Sequence, residues 1–227
     1  MSDKIRSTFI AQLKGDGIDI GPLHRPMGKH ENMNVQFVDK FTVEEMRANY
    51  PELSEFDLVE PDILDDAETL NTIFHNQFDF VIASHVIEHC KDPIKALSNW
   101  LRVLKPDGLL YLVVPDYRKT FDKYRKLTTL NHLIADYESE DIEQASLPHY
   151  YEYAELVNKK FFGRNIEISE EAEKLIRQDY SIHFHTYTPD SFDKLLQFIN
   201  SDIRGIKILE KIANAEDNEF HYLVGKA

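Results

Sequence analysis

The chain has 227 residues, 42% of them apolar and 11% aromatic, which builds a buried core and excludes a disordered or collagen-like polymer. Its 26 Lys and Arg against 40 Asp and Glu leave a formal net charge of −14, the wrong sign for a protein held to nucleic-acid phosphates or an anionic membrane by its overall field. The single cysteine, Cys90, excludes a disulfide framework, and no apolar run has the length of a signal peptide or a membrane span, so a soluble cytoplasmic protein is expected.

Short apolar runs ending in Asp or Gly alternate with stretches of helical spacing, the pattern of an α/β chain. A helix is expected over 4–14, where Ile5, Phe9, Ile10 and Leu13 share a face. Gly17-Ile18-Asp19-Ile20-Gly21 reads as a short strand running into a glycine turn, and Asn34 to Asp39 as a second strand. Thr42-x-x-Glu45 is a capping box that opens a short helix. Extended chain over 58–64 leads to Asp65 and Asp66. Phe78 to Ser84 is a strand, and Asp92-Pro93 opens an amphipathic helix through Ile94, Leu97, Leu101 and Leu104. Lys105-Pro106-Asp107-Gly108 stops that helix and turns into Leu109 to Val114, whose unbroken apolar run requires cover on both faces, as in a central parallel strand. From 117 to 182 the sequence is mostly helical in pattern and rich in Tyr and charge, a helical insertion in a single domain over 1–227. Thr188-Pro189 caps a helix through Phe192, Leu195, Leu196 and Phe198; strands at 206–212 and 220–224, joined by a turn at 214–218, close the chain as an antiparallel edge.

Ligands of an open α/β sheet bind outside the carboxyl ends of the strands, where strand order reverses. The polar residues at those ends are Asp19, Gly21, Asp39, Asp65, Asp66, Ser84 and His85. Asp39 is the most telling, because a carboxylate after the second strand can accept both hydrogens of a ribose diol. Its competing role is a helix N-cap.

GIDIGP, QFVD, DDAETL and the long segment from Phe78 to Asp116, taken in order, resemble the Rossmann-like class of S-adenosylmethionine-dependent methyltransferases over Gly17 to Asp116. The resemblance implies a mostly parallel sheet with S-adenosylmethionine as methyl donor. Gly17, Asp19 and Gly21 would line its methionine part, Asp39 would hold the ribose hydroxyls, Asp66 and Ala67 would meet the adenine, and Ser84 and His85 would sit beside the sulfonium. One departure stands out. The family's first loop carries further glycines before a long helix, whereas Pro22, Leu23, His24, Arg25 and Pro26 follow Gly21 here. GPLHRP and the stretch from Pro115 to Thr128 also resemble a branch associated with bacterial surface glycans, which implies O-methylation of a phosphate, phosphoramidate or sugar acceptor.

Two residue sets are candidates for that acceptor. Tyr117, Arg118 and Arg125 follow the central strand; the two arginines lie seven apart, a helical spacing, and arginine forks suit a phosphate or carboxylate. His183-Phe184-His185 aims two imidazoles to one face if extended, and His149 lies among tyrosines that could join them. These three histidines can contact the acceptor, supply a base, pack structurally or bind a transition metal. The reading taken is acceptor contact, with His85 and His185 as catalytic candidates and no metal assigned. His24, His30, His75, His132 and His221 are read as surface residues.

His85-x-x-Glu88-His89 matches a zinc-peptidase pattern, which makes a zinc hydrolase the rival function. That pattern requires a helix, and here it directly follows an apolar strand. A non-catalytic nucleoside-binding protein is the other alternative. The expected partner is a small-molecule acceptor of anionic character, with no nucleic acid or membrane, and with homodimer formation left open.

Overall fold

The computed structural model describes residues 2–214 and 216–227, so Ala215, within the expected turn at 214–218, lies outside the described residues. Seven strands form one sheet: β1 (Gly15–Ile20), β2 (Met33–Asp39), β3 (Ile63–Leu64), β4 (Phe78–Ser84), β5 (Leu104–Pro115), β6 (Ile206–Ile212) and β7 (Glu219–Lys226). Their order is β3-β2-β1-β4-β5-β7-β6. The first five run parallel, and β7 pairs antiparallel with both β5 and β6. This is the Rossmann-like sheet with an antiparallel edge that the sequence implied.

Side-chain alternation divides the core between two faces. Phe78, Val81 and Ala83 of β4 and Leu110, Leu112 and Val114 of β5 face α3 (Pro93–Val103) and α7 (Pro189–Phe198), packing on Leu97, Trp100, Phe192 and Leu196. Phe80, Ile82, Tyr111 and Val113 face the opposite way, onto Ile5, Phe9 and Ile10 of α1 (Ser2–Ile10). Phe9 stacks on Tyr111 with ring centroids 4.9 Å apart. Cover on both faces explains why β5 is apolar without interruption from Leu109 to Val114. The turn at Lys105–Gly108 becomes a bulge in the pairing of β4 with β5, and Asp107 there has a positive φ of 61°.

The link from β1 to β2, residues 21–32, contains no helix. Parallel neighbours need a crossover of about a dozen residues, usually helical. Here α1 covers that face, and Met27, brought in by the link, is buried against it. α2 (Val43–Asn49) starts with the expected capping box, both halves of which form between Thr42 and Glu45. After β5 come two 3-10 turns (Tyr117–Lys119 and Phe121–Tyr124), α4 (Leu130–Tyr137), α5 (Ile142–Tyr153) and α6 (Ile168–Arg177). Tyr150, Ala154, Ala172, Leu175, Ile182 and Phe184 give this segment its own small core.

Candidate active site

Register brings the strand ends to one level. Ile20 of β1 pairs with Val38 and with Ala83, so Gly21, Asp39 and Ser84 sit one residue further on in three neighbouring strands. At about 4.8 Å per strand, Asp39 and Ser84 stand roughly 10 Å apart across the point where strand order reverses. Gly21 adopts φ +62°, the left-handed region that favours glycine, while its N–H donates to the Val38 carbonyl at 2.8 Å.

Asp39 is half-buried, and burial raises its pKa above the usual carboxylate value, partly offset by backbone N–H groups of Phe41 and Lys40. Thr42, not Asp39, caps α2, which removes the competing role and leaves Asp39 facing the crevice end of β2. The loop after β3 is folded by Asp65, whose carboxylate accepts the N–H groups of Asp66, Asn71 and Thr72 and the Thr72 hydroxyl. α3 holds the same loop from below: Trp100 Nε1 donates to the Ala67 carbonyl at 2.7 Å, and Arg102 donates to the carbonyls of Thr69, Leu70 and Ile73. Asp66 and Ala67 therefore project from a fixed loop beside Asp39.

His85 lies just past β4 with φ 57°. Its Nε2 is 2.9 Å from Glu219 Oε2 and its Nδ1 is 3.3 Å from Glu88 Oε1. Burial would lower this imidazole, but the two carboxylates override it and raise it to about 9, so His85 is an imidazolium at neutral pH. Arg6 of α1 also reaches Glu219, at 2.8 Å. Next to this network is a cavity of about 480 Å³ whose lining includes Asp116, Arg118, Lys119, Lys211 and Glu219.

A family model described as a methyltransferase domain matches residues 5–202. The chain belongs to this methyltransferase family. The methyltransferase has the same fold as several solved structures. The CurJ carbon methyltransferase superposes with a TM-score of 0.52 at 13% identity, covering 100% of this chain and 54% of that one, so this chain spans about half of its length. A SAM-dependent methyltransferase from Thermotoga maritima gives 0.50 at 14% identity, with 99% and 88% covered. A Rhodobacter sphaeroides protein described as a zinc-dependent alcohol dehydrogenase gives 0.58 at 13% identity, with 99% and 89% covered. At such identities the likeness concerns the fold alone. No curated protein matches the sequence. Among the described residues, no helix is long and apolar enough to cross a membrane.

Several expected site residues of the methyltransferase have other duties. Gly17 lies inside β1, where a Cβ would come within 2.2 Å of the Phe80 ring, so it serves close packing and does not line the crevice. Asp19 is buried, accepts the Met27 N–H at 2.9 Å, and is pushed up to about 7 by that burial; it ties down the helix-free link. His85 has both nitrogens taken by carboxylates and no lone pair for a base.

Arg118 and Arg125 do not share a helix face, because two 3-10 turns occupy that stretch. Arg118 forks Asp116 at 2.8 and 2.6 Å and lines the cavity, with Tyr117 beside it on the same turn. Arg125 is buried, with donors committed to Asp122, Glu152 and the carbonyls of His183 and Phe184. It is a strut, out of reach of an acceptor.

The three expected histidines separate into two groups. His183 Nδ1 is 2.6 Å from Asp122 Oδ2, while its Nε2 faces Glu88 at 3.9 Å. His149 and His185 instead meet His132 and Asp136, and His185 is buried with Nε2 donating to the Lys91 carbonyl at 3.1 Å, which removes it from the catalytic candidates. His132, read as a surface residue, has a half-exposed ring within this second group. His221, also placed on the surface, is buried against the Tyr111 hydroxyl. His85-x-x-Glu88-His89 spans a left-handed residue and a 3-10 turn (Ile87–His89); its histidines diverge, His85 to Glu219 and His89 to the Ser181 hydroxyl. Sequence reading missed Arg6, Asp122 and Glu219. The His132-x-x-x-Asp136 spacing on a helix was the one local signal available for the second group.

Proposed function

We propose that this methyltransferase takes a methyl group from S-adenosylmethionine and passes it to an oxygen of a small anionic or sugar-linked acceptor. The carrying observation is Asp39, a half-buried carboxylate at the carboxyl end of β2, one strand from the reversal point of the sheet, with no capping duty. Asp39 accepts the ribose hydroxyls, Gly21 lets the backbone approach, Asp66 and Ala67 flank the adenine, and Ser84 borders the reacting end. S-adenosylmethionine supplies a methyl group on positively charged sulfur, so the protein's main task is to hold an acceptor oxygen in line at about 3 Å.

On the acceptor side, Arg118 and Lys119 line the cavity beyond β5, and the His85 imidazolium adds positive charge nearby. Such groups hold a phosphate, phosphoramidate or carboxylate that is already anionic and needs no base. For a sugar hydroxyl, His183 is the acceptor contact, its ring oriented by Asp122 at Nδ1. The likeness of GPLHRP and of the Pro115 to Thr128 stretch to surface-glycan methyltransferases supports an acceptor used in surface polysaccharide synthesis.

Calorimetric titration with S-adenosylmethionine tests the donor site. Asp39→Ala removes hydrogen bonds to a charged group and is expected to weaken binding by about 10–100-fold; equal affinity would overturn the assignment of β2. A radiolabelled methyl-transfer screen over phosphorylated and sugar acceptors tests the other half. Transfer confined to apolar alcohols or amines would sink the acceptor class.

A further inference from the structure

We propose that His132, Asp136, His149 and His185 form a binding site for one divalent transition-metal ion of the zinc class. Three parts of the chain meet there. α4 supplies His132 and Asp136, one turn apart on the same face. α5 supplies His149, and the extended segment before α7 supplies His185.

Each residue offers one ligand atom, and these atoms all lie within 4.8 Å of one another. His132 Nε2 is 3.1 Å from His149 Nε2 and 3.3 Å from Asp136 Oδ2, and the nitrogen His185 has left to offer is Nδ1, which has no hydrogen-bond partner. Ligands at 2.0–2.1 Å from a tetrahedral zinc ion are about 3.3 Å apart, so the group needs only small side-chain adjustment to close on a cation.

The burial pattern independently calls for an ion. Asp136 and His185 are 5% and 1% exposed, yet Asp136 Oδ2 and His185 Nδ1 have no hydrogen-bond partner. Leaving a buried carboxylate oxygen and an imidazole nitrogen unmatched is costly, and a single proton shared between His132 and His149 satisfies neither. A cation among the four satisfies both. The outer contacts are also those of a metal site, since a ligating histidine usually gives its other N–H to a carbonyl or carboxylate. His185 Nε2 donates to the Lys91 carbonyl, and His149 bonds to the Phe184 backbone.

Three imidazoles and one carboxylate, without thiolate, suit zinc, and four protein ligands leave no open position, so the ion would be structural. It would pin α4 and α5 to the segment carrying His183. The site is separate from the His85-x-x-Glu88-His89 pattern, whose Glu88 and His89 group with His183.

The test reads metal content and is independent of methyl transfer. The full-length protein is incubated with zinc sulfate, desalted and analysed by mass spectrometry for zinc. About one zinc per chain is expected in the parent protein and in His89→Ala, with loss in Asp136→Asn and in His132→Ala, whose half-exposed ring can be removed without opening the core. Circular dichroism confirms that these variants fold. Cobalt(II) loaded after chelation should give the intense visible bands of a four-coordinate ion in the parent and in His89→Ala, and not in His132→Ala or Asp136→Asn. Zinc at a hundredfold excess over its Kd should raise the parent Tm by about 5–10 °C, and leave His132→Ala unmoved. Absence of zinc from the loaded parent, its retention in the folded His132→Ala and Asp136→Asn variants, or its loss on His89→Ala would each overturn the proposal.

Discussion

His85 keeps its charge through Glu88 and Glu219, and a value of about 9 sets the pH range over which that matters. In the unfolded chain an imidazole titrates near 6.5, so the stabilisation is complete below about 6.5 and is lost as pH climbs through 9. Thermal melts from pH 7 to 10 should show a falling Tm, with a flatter slope in His85→Gln; superimposable slopes would mean that the two glutamates are satisfied without the imidazolium. Asp19 adds a loss of the same sign over a lower pH range. Its folded value of about 7 lies above the unfolded value, so stability declines as pH rises from about 4 to 7. Asp19→Asn keeps an oxygen for the Met27 N–H without a buried charge, and is expected to raise Tm by about 2–4 °C at pH 8. A Tm lower than the parent's would show that the carboxylate contributes more than this one bond. The end of β2 at Asp39 and the Thr42 to Glu45 capping box were legible in the sequence because their signals are local. Glu219 was not, because it meets His85 across 134 residues.

At the level of elements, β4 has the bounds its apolar run indicated, and α3 and α7 start at their Asp-Pro and Thr-Pro signals. The stretch after β5 was misread because its seven-residue arginine spacing mimics a helix. Asp116 and Thr120 each accept an N–H from two residues ahead, local bonds that compete with helix formation and give two 3-10 turns. Those turns bring Arg125 under the chain at His183 and Phe184. Arg125→Met would leave Asp122 Oδ1 and the carbonyls of His183 and Phe184 without their Arg125 donors, and should cost about 3–5 kcal/mol in urea unfolding. A loss below about 1 kcal/mol would mean that the surrounding chain rearranges to replace the strut.

For the whole molecule, the alternation of strand and helix was readable because it depends on periods of two and 3.6 residues. The seating of β7 between β5 and β6 was not, because pairing partners 100 residues apart leave no mark in a local window. That seating also has a cost during synthesis. β5, apolar along most of its length, has one edge open until Glu219–Lys226 emerges from the ribosome, and an open apolar edge recruits other chains. A chain stopped after Asn218 should therefore collect in inclusion bodies or on chaperones, whereas a soluble monomer from that truncation would show that β5 tolerates exposure. Folding of this sheet is completed from its C-terminal side, however early its N-terminal strands are made.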